Sequence, residues 1–147
     1  MKTLVVYDSI YGNTEQIAKA VADAIDGEVK LRHATKATPA ELENIDLLVV
    51  GAPTQGGRAT QAAQDFLNGL PKEVVKGLNV ASFDTRLSTK LVGIFGYAAG
   101  RMAKQLKEAG TRLIAPPEGF YVKGSKGPLN DGEAARAAEW AKELPTS

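Results

Sequence analysis

The 147-residue chain contains no cysteine and only one histidine. Without cysteine there is no disulfide framework, no thiolate nucleophile, no iron–sulfur cluster and no Cys-based zinc site. His33 alone cannot build a multi-histidine metal centre within the chain. Net charge is scarce too. Eighteen basic and seventeen acidic residues leave +1, far from the basic stripe that nucleic-acid binding requires. No apolar run approaches the ~20 residues of a membrane-spanning helix. The run after Lys2 gives way to Asp8 before it could serve as a signal peptide. These absences predict a cytoplasmic protein that engages neither nucleic acid nor membrane. The length suits a single domain over residues 1–147.

What is present is an alternation of short apolar strands and amphipathic helices. Lys2–Tyr7 (KTLVVY) is a strand that ends in the polar loop DSIYGN. Over residues 14–26, Ile17, Ala18, Val21, Ala22 and Ile25 fall on one face at helical spacing, and Gly27 ends the run. Glu28–Ala34 alternates as a strand nearer an edge, with Val29, Leu31 and His33 on one side, away from a binding edge. Thr38, Pro39 and Glu41 have the spacing of a capped helical start. Asp46–Ala52 (DLLVVGA) is apolar enough for a central strand. A loop over 53–60 leads to a helix with Ala63, Phe66, Leu67 and Leu70 inward. Leu78–Phe83 is the fourth strand, followed by a loop from Asp84 to about Gly96 and a helix carrying Met102, Leu106 and Ala109. Thr111–Ala115 is the fifth, extended by Phe120–Val122 beyond the break at Pro116–Pro117. Residues 131–144 form the last helix. This order predicts an α/β fold: a doubly wound, five-stranded parallel sheet flanked by helices.

The first strand-to-helix turn, Ser9-Ile10-Tyr11-Gly12-Asn13-Thr14, has the chemistry of an anion site. First-turn amides of a helix lack internal partners and carry the positive end of its dipole. Gly12 removes a Cβ from an anion's approach, and Ser9, Asn13 and Thr14 offer neutral donors. An ordinary helix start capped by Asn13 or Thr14 is equally open. There is no G-x-x-x-x-G-K-[ST] run, and no G-x-G-x-x-G follows the first strand. A phospho-accepting aspartate is also missing where the third strand ends in Gly51-Ala52-Pro53.

YDSIYGNTEQIA (7–18) resembles the [ST]-x-x-G-x-T phosphate loop of the flavodoxin family, and GAPTQGG (51–57) resembles that family's loop against the flavin ring. KQLKEAG (104–110) and PLNDGEAARAAEWA (128–141) fit as well, so the resemblance covers essentially the whole chain. It is similar to short-chain members and to the flavodoxin modules of flavin–diiron oxidases and quinone reductases. The resemblance implies strand order 2-1-3-4-5 and non-covalent FMN. It places the phosphate on Ser9, Gly12, Asn13 and Thr14, with Ile10 and Tyr11 in the same cofactor-binding loop, and the ring between the loop of Pro53, Thr54, Gln55, Gly56 and Gly57 and the loop after strand four with Asp84, Thr85 and Arg86.

The chain departs from that pattern at the ring. Neither Gln55–Ala59 nor Asp84–Lys90 contains an aromatic. Phe95 and Tyr97 either reach the ring or pack the start of the following helix, and Tyr11 sits near the phosphate. Asp84 is the one evident carboxylate among Arg58, Arg86 and Lys90; it binds a flavin edge or pairs with Arg86 on the surface. Gly56–Gly57 supplies a flexible peptide for the flavin or a plain turn. Trp140 and Met102 read as packing residues, and the loop with Lys123, Gly124, Lys126 and Gly127 as solvated. No acid, base or nucleophile constellation stands out. The expected function is FMN-binding electron transfer with redox proteins or small donors and acceptors as partners. Alternatives are an FMN-dependent NAD(P)H or quinone reductase, and a cofactor-free interaction module.

Overall fold

A computed structural model of the chain describes residues 1–87 and 97–145. The strands are β1 (Lys2–Tyr7), β2 (Glu28–His33), β3 (Leu47–Pro53), β4 (Asn79–Leu87), β5 (Arg112–Leu113) and β6 (Glu118–Val122). The helices are α1 (Asn13–Ala24), α2 (Gln61–Asn68), α3 (Lys72–Val75), α4 (Ala98–Glu108) and α5 (Glu133–Glu143), with a 3-10 turn at Pro39–Leu42. That turn carries the expected box: Thr38 caps it and Glu41 reaches back to the Thr38 amide.

The sheet is parallel in the order β2-β1-β3-β4-β5, with β6 also on β4. The fifth position is shared. β5 covers Asn79 and Val80, and after the proline break β6 covers Phe83–Leu87. β3 is the apolar strand at the centre, buried from Leu47 to Ala52. Strand alternation divides its neighbours between two cores. Leu4, Val6, Leu48, Val50 and Val80 pack on α2 and α4 through Ala63, Leu67, Met102 and Leu106. Val5, Leu47, Val49, Ala81 and Phe83 pack on α1 and α5 through Ile17, Val21, Ala137 and Ala141.

Gly51 is what admits the Phe83 ring, since a Cβ there would lie 2.0 Å from its Cζ. Phe83 then joins Phe120 and Trp140 in three edge-to-face contacts with centroids 6.0–6.1 Å apart. Such pairs add about 0.5–1.5 kcal/mol each beyond burial. Trp140 is thus a packing residue, as is buried Met102.

Two expectations are corrected. Asp84, Thr85 and Arg86 lie inside β4, not in a loop, because Ala52 and Pro53 of β3 and Gly119–Tyr121 of β6 pair with them on either side. His33 does not lie away from the binding edge. Tyr7 and His33 are in register in parallel strands, so both reach the carboxyl edge where the first loop begins.

Candidate cofactor site

The carboxyl ends of β1, β3 and β4 open onto a cavity of about 360 Å³, within the usual size of a small-molecule site, roughly 300–1,000 Å³. Ser9, Ile10, Tyr11, Asn13 and Thr14 line it from the first loop; Pro53, Thr54, Gln55, Gly56 and Gly57 from the second; Thr85 and Arg86 from β4. Leu87, Val122 and Ser125 complete it and were not expected. Among the expected residues, Gly12 and Asp84 are the two outside the lining. A wider groove of about 530 Å³ between the 3-10 turn and α2 is bordered by Ala37, Leu42 and Phe66 and contains none of the strand ends.

The first loop is built around Ser9 and Gly12. Ser9 Oγ accepts the amides of Gly12 (3.1 Å) and Glu15 (3.3 Å), closing the loop onto the helix start. Gly12, at φ +91°, is the helix cap residue, so neither Asn13 nor Thr14 is. A Cβ at Gly12 would meet no atom of the described residues within 4 Å. Its role is therefore conformational: it supplies the left-handed turn that aims the helix, and clearing space is not what requires glycine. Thr14 Oγ1 shares a hydrogen bond with Thr85 Oγ1 at 2.8 Å, and Asn13 Nδ2 donates to the Lys126 carbonyl at 3.2 Å. The loop with Lys123 to Gly127, expected to be solvated, thus leans on the first one, and a Cβ at Gly127 would strike the Asn13 side-chain amide at 2.5 Å. With the Glu15 amide taken by Ser9, the backbone N–H groups of Asn13 and Thr14 have no acceptor among the described residues. Two such amides at a helix N-terminus favour an anion.

Behind the loop, His33 Nε2 lies 2.8 Å from Asp8 Oδ1 and its ring stands edge-on to Tyr7. Tyr7 donates its hydroxyl to Glu15 Oε2 at 2.8 Å. Burial, then this hydrogen bond and the nearby Glu15 and Asp8 charges, raise the Tyr7 pKa. The same hydrogen bond, with Lys19, lowers that of Glu15.

The second loop is a two-residue hairpin. Gln55 and Arg58 exchange both backbone hydrogen bonds, at 2.8 and 3.0 Å, around Gly56 (φ +57°) and Gly57 (φ +79°). Positive φ at both central positions is the setting in which glycine pairs excel. The Gly57 carbonyl accepts from Arg101 Nε at 2.7 Å. Across the cavity, Arg86 is fixed on several sides. Asp84 holds its Nε and Nη2 at 2.7 and 2.8 Å, and the guanidinium lies 3.5 Å from the Tyr97 ring centroid. Asp84 and Arg86 do pair, but inside the protein: Asp84 is wholly buried and also accepts the Ala99 amide at 2.9 Å. Tyr97 meets Arg86 at the start of α4 and does not line the cavity. Phe95 and Lys90 lie outside the described residues.

Beside this strand-to-helix anion loop and glycine hairpin at the carboxyl edge stands a sequence match: residues 5–140 match the family model described as Flavodoxin. The chain belongs to the flavodoxin family. Membership implies a flavin cofactor. The chain is 34% identical over 89 residues to a flavodoxin of Maridesulfovibrio salexigens, a match covering 56% of this chain and 61% of that protein. It is 36% identical over 90 residues to an NAD(P)H dehydrogenase (quinone) of Acidovorax ebreus, covering 46% and 45% of the two. Each match spans less than two thirds of the relative's length. The fold agrees with the structure of an archaeal flavodoxin at TM-score 0.82 and 20% identity, covering 97% of this chain and 95% of the other. No helix among the described residues is long and apolar enough to cross a membrane.

Proposed function

We propose that the protein is an FMN-binding electron carrier of the flavodoxin type, with the FMN phosphate on the 9–14 loop. The observation that carries this reading is the pair of unpartnered amides at Asn13 and Thr14, set at one end of a cavity whose remaining wall is hairpin and strand. Ser9, Asn13 and Thr14 would hold the phosphate with neutral donors. Gln55, Gly56 and Gly57 would border the ring on one side and Thr85, Arg86 and Leu87 on the other. FMN supplies the electron chemistry when bound; the protein orients it and sets its surroundings.

Because Asp84 neutralises much of the Arg86 charge, Arg86 would act toward the ring as a fixed part of the wall more than as a bare cation. The absence of an aromatic among Gln55–Ala59 leaves that side of the ring accessible to a partner. The partners are redox proteins or small donors and acceptors, and the absence of cysteine suits a cytoplasmic setting.

A second reading, an FMN-dependent NAD(P)H or quinone reductase, draws on the likeness to the Acidovorax ebreus protein. One experiment separates the two. The FMN-loaded protein is reduced chemically without oxygen and mixed with an oxidised haem protein; in parallel it is given NADH or NADPH with a quinone. Rapid reoxidation by the haem protein with no nucleotide consumption supports the carrier. Catalytic nucleotide oxidation supports the reductase.

A further inference from the structure

The start of α4 ties the cavity wall together at three points. The Ala98 amide donates to Thr54 Oγ1 at 2.9 Å and the Ala99 amide to Asp84 Oδ2 at 2.9 Å. Both are first-turn backbone donors, which any non-proline residue would supply. The third tie is specific to one side chain: Arg101 Nε donates to the Gly57 carbonyl at 2.7 Å. Gly57 is buried, whereas Gln55, Gly56 and Arg58 of the same turn are exposed.

The turn needs such a tie. Glycine loses more conformational freedom on ordering than any other residue, and here two are adjacent. The two Gln55–Arg58 backbone bonds join the turn to itself and not to the domain. Arg101, on a helix packed through Met102 and Leu106, joins it to the core. It also lines, with Arg58, Gln64 and Gln105, a separate hollow beside the turn, so it acts on the cavity through Gly57 and not by lining it.

We propose that Arg101 is a positioning residue that holds the Gln55–Arg58 hairpin in place and thereby sets the wall against which the flavin ring binds. The ring half of this statement rests on the proposed function; the hairpin half does not.

The test compares wild type, Arg101→Met and Lys104→Met. Lys104 lies one turn further along the same exposed helix face and makes no ion pair among the described residues. In flavin-free protein, hydrogen exchange at the Gln55 and Arg58 amides should accelerate on the order of tenfold in Arg101→Met, the size of one lost charge-assisted bond. The Val5 and Val6 amides of β1 should be unchanged, which excludes global destabilisation. With flavin, Arg101→Met should weaken FMN and riboflavin by the same factor, on the order of tenfold, and shift the visible band of the bound ring. Lys104→Met should do neither. Equal hairpin exchange in wild type and Arg101→Met would overturn the proposal, as would the same flavin effects in Lys104→Met, which would make charge the cause. Wild-type protein that binds neither flavin would overturn the ring half together with the proposed function, while the exchange data still decide whether Arg101 holds the hairpin.

Discussion

Asp84 grips Arg86 with both carboxylate oxygens, Oδ1 at 2.7 Å from Nε and Oδ2 at 2.8 Å from Nη2, and does so from a wholly buried position in β4. Removing Asp84 leaves the Arg86 guanidinium, on a side chain only 14% exposed, and the Ala99 amide without their acceptor. Asp84→Ala should therefore destabilise the flavin-free protein by about 3–5 kcal/mol, read from urea unfolding. A loss comparable to that of an exposed pair such as Lys19–Glu15 would show that the clamp contributes little.

Gly119 makes room for that clamp. A Cβ there would lie 2.1 Å from Arg86 Nε and 2.2 Å from Cζ, and the guanidinium is held on its other sides by Asp84 and Tyr97. Gly119→Ala should cost about 1–3 kcal/mol by overpacking and should weaken riboflavin as much as FMN, since it disturbs the end of the cavity proposed for the ring. Selective loss of FMN would place Arg86 at the phosphate instead.

At Gly12 the expected effect is on the backbone. Its φ of +91° disfavours any side chain, although the space around it is open. Gly12→Ala should lower the stability of flavin-free protein by about 1–2 kcal/mol. An unchanged midpoint with lost FMN binding would restore the steric explanation.

Acid should release the contact between α5 and β6. Glu133 accepts from Arg136 and from the Tyr121 amide at 2.7 Å. The Arg136 hydrogen bond, opposed by burial and aided by Tyr121, holds its pKa below the ordinary value. A depressed carboxylate stabilises the fold fully above its unfolded value, about 4.3, and that contribution disappears as pH falls through the lower folded value. Urea unfolding from pH 7 to pH 3 should show wild type losing stability in that window. Glu133→Gln should be less stable at pH 7 by about 1.5–3 kcal/mol and approach wild type at pH 3. Parallel pH curves for the two proteins would remove Glu133 from this account.

Much of the fold was legible because its signals are local. The apolar run at Leu47–Ala52, the helical spacing from Ile17 to Val21 and the Pro116–Pro117 break each carry their own meaning, and the sheet order followed from the family resemblance. The strand-to-helix turn at 9–14 was legible for the same reason, but its cap was not: Gly12 holds that place, and neither Asn13 nor Thr14 does. The second half of β4 was not. Asp84, Thr85 and Arg86 read as loop because they are polar, and they become strand only through pairing with β3 and β6. Positions 84 and 86 share a strand face, but their burial depends on α4 lying over them. Val122 and Ser125 entered the cavity for a related reason: β6 is parallel to β4, so its carboxyl end opens at the same edge. His33 could have been placed correctly by registering two parallel strands of six residues each.

In the proposed function the amides at Asn13 and Thr14, unpartnered among the described residues, receive the phosphate of FMN. Titrating flavin-free protein with FMN and with riboflavin, which lacks the phosphate, tests it most directly. Several charge-assisted hydrogen bonds predict FMN binding at least ~100-fold tighter than riboflavin. Equal affinities for the two, or binding of neither, would contradict it.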